Sequence, residues 1–165
     1  MHQVLLPRPA SPAMRAGSRC ASVSDLSGTD STLAHDDQFL TMLADYRCGG
    51  GLVRAPEVFA RFECCSGMDV GTLAGWIVNR RVICFEWQAR MWLPLFQFNQ
   101  PDMRPPAALR RVLEVLTPRL DAWALACWFG RPNPWLADQG PCDVLDQDPD
   151  AVLRAARGDD LPAGT

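Results

Sequence analysis

The run WALACWFGRPNPWLADQGPCDVLDQDPDAVLRAAR, residues 123–157, reads as two helices separated by a loop stiffened with proline. Asp121 stands ahead of it as an N-cap, and Leu125, Trp128 and Phe129 make the first helix apolar. Gly130 follows where a helix end calls for a left-handed residue, so the helix is expected to stop there. Residues 131–145 read as a loop with one helical turn on either side of it. Asp148-Pro149-Asp150 then supplies an N-cap, a proline at the first helical position and an acid in the first turn. The closing helix ends at Gly158 with Arg154 and Arg157 in its last turn, so charge complements the helix dipole at both ends.

Working back from this run, Pro105-Pro106 open a helix whose Leu109, Val112, Leu113 and Leu116 recur at i, i+3, i+4 and i+7, with Pro118 at its end. Before it lie RVICFEW (81–87) and WLPLFQF (92–98), separated by QARM. In the first, Val82, Cys84 and Glu86 alternate with Ile83, Phe85 and Trp87, and the two runs predict a β-hairpin. Pro94 lacks a backbone donor, which assigns the second run to a sheet edge or a bulge. Two short helices precede the hairpin. One spans 55–65, with Val58, Phe59 and Phe62 on one face and Pro56 in its first turn; the other spans 70–79, with Leu73, Ala74, Ile77 and Val78 on one face and Asp69 as N-cap. Ser66-Gly67-Met68 joins them tightly, as in a helix-turn-helix, and the hairpin behind gives the order of a winged-helix fragment.

Phe39, Leu40 and Leu43 place one more short helix at 36–46, and Cys48-Gly49-Gly50-Gly51 follows as a flexible joint. Residues 1–33, rich in Ser, Pro, Ala, Gly and Arg without a sustained period, are expected to form a disordered tail, with Met14 an alternative start. The expected fold is mainly α with one β-hairpin. A helical region with a helix-turn-helix and wing-like hairpin occupies 34–98, a small helical domain 99–158, and a short tail 159–165.

A hydrophobic share of 48% against 21% charged residues suits a chain that buries a core. No run approaches the roughly 20 apolar residues of a membrane-spanning helix, and the N-terminal segment has no apolar signal-peptide core, so the expected location is the cytoplasm. Seven cysteines, at 20, 48, 64, 65, 84, 127 and 142, form no CxxC pair and are read as buried, reduced small hydrophobes. With only His2 and His35, neither a zinc site nor a Cys-His or Ser-His pair has its residues. Asp143, Asp146, Asp148 and Asp150 lack the mid-loop Gly and final Glu of a calcium loop and read as a solvated capping run. The chain has no lysine and no phosphate-binding glycine motif. No catalytic residue, metal or cofactor is therefore expected, and no enzymatic activity. The net charge is −3, and all 16 basic residues are arginine. Residues 52–98 carry five of them against four acids, and 99–165 seven against ten, so DNA contact is open only to the middle segment.

Within 123–157, Trp128-Phe129, Pro132-Asn133-Pro134, Leu136, Pro141, Asp143-Val144-Leu145, Val152 and Ala155-Ala156 follow the pattern of a known family. The run resembles the toxin-binding domain of Xre/MbcA/ParS-type antitoxins. WLPLFQF is similar to the aromatic-Pro-x-FQF strand that often precedes this domain in bacterial proteins with an excisionase-like helix-turn-helix, which extends the likeness over 52–157. The family usually has glycines directly after the Leu of the turn. Here Ala137-Asp138-Gln139 intervene before Gly140, and Asp138 is the residue suited to the unusual backbone angle. No basic recognition helix stands in 69–79, whose only charge is Asp69.

The resemblance implies an antitoxin that binds and neutralises a cognate toxin protein, of the RES type that degrades NAD, and that forms a homo-oligomer and represses its own operon by binding operator DNA. The candidate toxin-binding residues are Arg131, Asn133, Pro134, Trp135, Leu136, Arg154 and Arg157. Trp135, in a Pro-flanked loop, reads either as an interface anchor or as a plug under the last helix. Trp87, Trp92, Trp123 and Trp128 sit in periodic segments and read as core. Arg154 and Arg157 rim the surface or serve only the helix end. Asn79, Arg80 and Arg81 are the candidates for DNA contact; otherwise the two arginines are solvated residues flanking a strand. The rival expectation is a winged-helix-type DNA-binding regulator without a toxin partner.

Overall fold

Successive residues of a strand point to opposite faces of a sheet, and in this protein that alternation separates two cores. β1 (Leu52–Arg54), β2 (Phe85–Trp87) and β3 (Arg90–Pro94) form an antiparallel sheet in the order β1-β3-β2. Leu52, Phe85 and Trp92, with Ile83, face one core; Val53 and Leu93, with Val82, face the other. The computed structural model describes residues 26–66, 69–100 and 102–158. Among them the protein is mainly helical, with seven α-helices around this small sheet.

On one face lie α2 (Ala55–Ser66) and α3 (Val70–Val78), whose Val58, Phe62 and Leu73 are fully buried. The other face receives α1 (Leu26–Asp45), α4 (Ala107–Leu116), α5 (Ala122–Gly130), α6 (Pro141–Val144) and α7 (Pro149–Gly158). Leu109, Val112, Leu113 and Leu116 are all buried, as their spacing predicts. Asp121 and Asp148 cap α5 and α7, accepting from the amides of Ala124 (2.7 Å) and Ala151 (2.8 Å). The segment boundary at 98/99 does not divide the cores. α1 packs on α5, Phe39 stacks on Trp87 at 3.7 Å between ring centroids, and the buried Tyr46 hydroxyl donates to the Ala126 carbonyl at 2.6 Å.

Gln97 joins the two sides. It ends a 3-10 turn (Leu95–Gln97) and is fully buried, its Nε2 donating to the Ile83 carbonyl (2.9 Å) and its Oε1 accepting from the Ile83 amide (2.6 Å). A side-chain amide thus replaces the strand partner that residue 83 lacks, so RVICFEW is a ladder strand only from Phe85 onward.

Several expectations are corrected. α1 begins at Leu26, so residues 26–33 of the expected tail are helical, while 1–25 and 159–165 lie outside the described residues. Once the packed turns near Phe39 and Met42 form, adding helical residues upstream costs little. Leu40 is exposed, the buried face running through Phe39, Met42 and Tyr46. The glycine joint is a hydrogen-bonded turn, with the Gly51 amide bound to the Tyr46 carbonyl and positive φ at Gly50 and Gly51, and it leads into the unexpected strand β1. Pro94 ends the central strand, not an edge, because the last ladder position needs no donor there. The inner face of α3 is Leu73, Trp76 and Ile77, leaving Ala74 and Val78 exposed. Asp69 precedes α3 but its carboxylate accepts no helix amide, and the connection at 67–68 lies outside the described residues. Gly130 is the last helical residue, not a left-handed one. It is small because a Cβ there would stand 3.1 Å from the Tyr46 ring. Cys48, Cys64 and Cys65 are exposed, unlike the buried Cys127 and Cys142.

Candidate functional site

The loop after α5 is organised around one residue. Asn133 is buried; its amide donates to the Gln139 carbonyl (3.0 Å), its carbonyl accepts from the amides of Leu136 (2.9 Å) and Asp138 (3.0 Å), and its Oδ1 accepts from the Trp135 amide (2.9 Å). Pro134 starts the 3-10 turn (Pro134–Leu136), and Leu136 sinks into the larger core. The turn reverses through two left-handed residues without glycine, Ala137 at φ 54° and Asp138 at φ 59°. Asp138 is where the unusual angle was expected, and Ala137 shares it.

This framework holds Trp135 outward at 61% exposure, with one side of its indole resting on Gly158 at the end of α7. A Cβ on Gly158 would come within 3.3 Å of the ring. Beside it lies an open groove of about 570 Å³, lined among others by Gln38, Trp123, Trp128, Arg131 and Pro132. The Trp123 indole donates to Gln38 Oε1 (3.0 Å), which ties α5 to α1 on the groove wall. Arg131, exposed at the end of α5, lowers the pKa of nearby Asp45, but burial outweighs it and holds that carboxyl above its ordinary range; Asp45 Oδ2 is buried without a hydrogen-bond partner. Burial pushes the Cys142 thiol up to about 12 and raises Cys127 as well, which keeps both protonated and poor nucleophiles.

Of the expected contact residues, Arg131, Asn133, Pro134 and Trp135 line this groove, and Arg154 and Arg157 are exposed on α7. Arg154 also lies 3.9 Å from the Asp148 carboxylate. Asn133, though it lines the groove, is largely buried, as is Leu136, and both shape the loop. The residues expected at DNA, Asn79, Arg80 and Arg81, line one small cleft with Arg110, Glu114 and Thr117. Asn79 caps α3, its Nδ2 donating to the Gly75 carbonyl (2.7 Å). Arg80, at φ 52°, donates to the carbonyls of Thr117 (2.8 Å) and Leu120 (2.6 Å), closing the C-terminal end of α4. Arg81 is exposed. The outer face of α3 shows Gly71, Ala74 and Val78, the last 80% exposed, with the Asp69 carboxylate over Gly71.

Residues that sequence reading missed work at a distance. Gln97 completes Ile83, and Arg119 closes α7 by donating to the Ala156 carbonyl (2.9 Å). Arg111 reaches Asp150 at 3.2 Å, linking α4 to the start of α7. For the two arginines the one available signal was a cation near a helix C-terminus or an acid in a first turn. Among the described residues, no group of three or more His, Cys, Asp or Glu could hold a metal ion, and no helix is long and apolar enough to cross a membrane. Comparison with protein-family models, curated proteins and solved structures finds no match.

Proposed function

We propose that this chain is an antitoxin-like protein that neutralises a toxin, of the RES type that degrades NAD, by covering the toxin's active site with the surface around Trp135. The observation that supports this reading is the presentation of Trp135: a large aromatic, 61% exposed, on a loop whose backbone is fixed by Asn133. An anchor already ordered before binding loses little conformational entropy, and aromatics of this kind carry much of the energy of protein interfaces. Arg131 at the groove and Arg157 in the last turn of α7 supply cations for charge-assisted hydrogen bonds around it. The resemblance of residues 123–157 to the toxin-binding domain of Xre/MbcA/ParS-type antitoxins supports the same reading. The proposal includes self-association and repression of its own operon, and needs no cofactor. It is tested by co-expressing the chain with the product of the adjacent gene. Growth rescue and a co-purified complex are expected, both lost in Trp135→Ala with folding intact. Unrelieved toxicity without a complex sinks the reading.

A second reading, a winged-helix-type DNA-binding regulator without a toxin partner, is favoured by one observation. The element order α1-β1-α2-α3-β2-β3 with sheet order β1-β3-β2 is the order a winged helix has. The absence of any cation in α3 weighs against that helix reading base edges. Binding of operator DNA without any toxin complex would favour this second reading.

A further inference from the structure

The groove of about 570 Å³ is lined by three tryptophans, Trp123, Trp128 and Trp135, and among the described residues no carboxylate lines it. Its polar side chains offer chiefly donors. Gln38 Oε1 accepts from the Trp123 indole (3.0 Å) and Asn133 Oδ1 from the Trp135 amide (2.9 Å), so the protein itself engages the oxygen end of each carboxamide and fixes its orientation. The two NH2 groups remain, and among the described residues neither Gln38 Nε2 nor Asn133 Nδ2 has a partner. Asn133 is only 7% exposed, so an amide donor without a partner is held in a nearly closed position on the groove wall. Arg131 adds further donors. Asp45 acts on it through space, but among the described residues no carboxylate stands within ion-pair distance of its guanidinium.

We propose that this groove binds a proline-rich segment of a partner protein in the polyproline II conformation. The proposal rests on the reading above for a protein partner at this surface, and not for that partner's being a toxin. Polyproline II makes no internal hydrogen bonds, so its carbonyls are free to accept, and proline brings no N–H that would need an acceptor. Such a segment is complementary to a wall of donors. An ordinary extended strand would bring an N–H at every residue, and a helix would keep its carbonyls in its own hydrogen bonds. Aromatic-lined grooves take proline-rich chains because the preformed conformation loses little entropy on docking. Here Trp123, Trp128 and Trp135 supply the aromatic lining, and Gln38 and Asn133 the donors to the carbonyls. Arg131 suits an acidic residue beside the prolines.

The test is fluorescence anisotropy of a labelled oligoproline ending in one aspartate, with the full chain and no toxin present. Saturable binding is expected, tighter by about tenfold or more than that of a glycine-serine or a glutamate-rich peptide of equal length. Gln38→Glu and Asn133→Asp keep the oxygens that accept from Trp123 and Trp135 and replace only the NH2 groups. Each should weaken oligoproline binding by about tenfold, the loss of one donor to a carbonyl, while thermal melts stay near that of the wild type. Trp135→Ala should weaken it likewise, and Arg90→Ala, on β3 and outside the groove, should not. No saturable binding by the wild type, equal binding of the glycine-serine peptide, or unchanged affinity in both carboxamide variants would overturn the proposal. So would tighter binding of the glutamate-rich peptide, which would assign the groove to acidic segments through Arg131. If oligoproline does not bind while Trp135→Ala still abolishes growth rescue, the proline-rich occupant falls and the toxin reading stands. If oligoproline binds with these losses and no toxin is neutralised, the groove keeps its occupant and the toxin reading falls.

Discussion

On one face of the sheet, Val58, Phe62, Leu73 and Leu93 close a core drawn from residues 53–103, and its outermost helix, α3, offers solvent Gly71, Ala74, Val78 and one carboxylate. On the other, residues from α1 to α7 share one core whose surface carries Trp135 and the exposed arginines 131, 154 and 157. The first region presents an outer helix without cations, and the second an ordered, exposed aromatic flanked by arginines. The two faces of one small sheet thus carry surfaces of different chemistry.

The joint between the regions gives the largest expected effect. Gln97→Leu leaves the Ile83 amide and carbonyl buried without partners, and with each such group costing about 1–3 kcal/mol the variant should lose about 2–6 kcal/mol in urea unfolding. If the two cores are one cooperative unit, fluorescence and far-UV dichroism will shift together; separate transitions would break the comparison into two independent parts. Trp135→Ala should cost about 2–4 kcal/mol of partner affinity by calorimetry while leaving the melting temperature nearly unchanged, since most of the ring faces water.

Smaller effects sharpen the contrast. Arg80→Ala removes the clasp on Thr117 and Leu120 and should cost about 1 kcal/mol. Ala137→Gly relieves a left-handed alanine and should stabilise the fold by about 0.5–1 kcal/mol, without changing partner affinity, if the turn keeps its shape. The smallest effect is a pH dependence. Burial raises the Asp45 carboxyl above its ordinary 3.8, so the folded state holds that proton more tightly than the unfolded chain. Its contribution to stability is therefore greatest below that value and declines as pH rises through the folded pKa. The melting temperature of Asp45→Asn should accordingly exceed that of the wild type near neutrality, and the gap should close in acid.

What could be read from sequence was local. The alternation of 82–87, the i, i+3, i+4, i+7 spacing of 109–116 and the Asp148-Pro149 cap all report on a few adjacent residues, and the structure carries each of them. What escaped was tertiary. Ile83 and Gln97, Arg80 and Thr117, and Tyr46 and Ala126 are 14, 37 and 80 residues apart, and no periodicity links them. Gly130 matters for its smallness, which makes room for Tyr46, and not for a left-handed backbone, because its conformation is ordinary. At the site, proline marked the loop and its aromatic, but that Asn133 turns inward while Trp135 turns outward depends on bonds closing back from Gln139 and Asp138.

The most direct test of the toxin-binding account is growth rescue, scored when wild type or Trp135→Ala is co-expressed with a RES-type toxin. The account predicts rescue and a stable complex for the wild type, and neither for a fully folded Trp135→Ala. Equal rescue by both proteins would contradict the assignment of this surface, and rescue by neither would contradict the antitoxin reading itself.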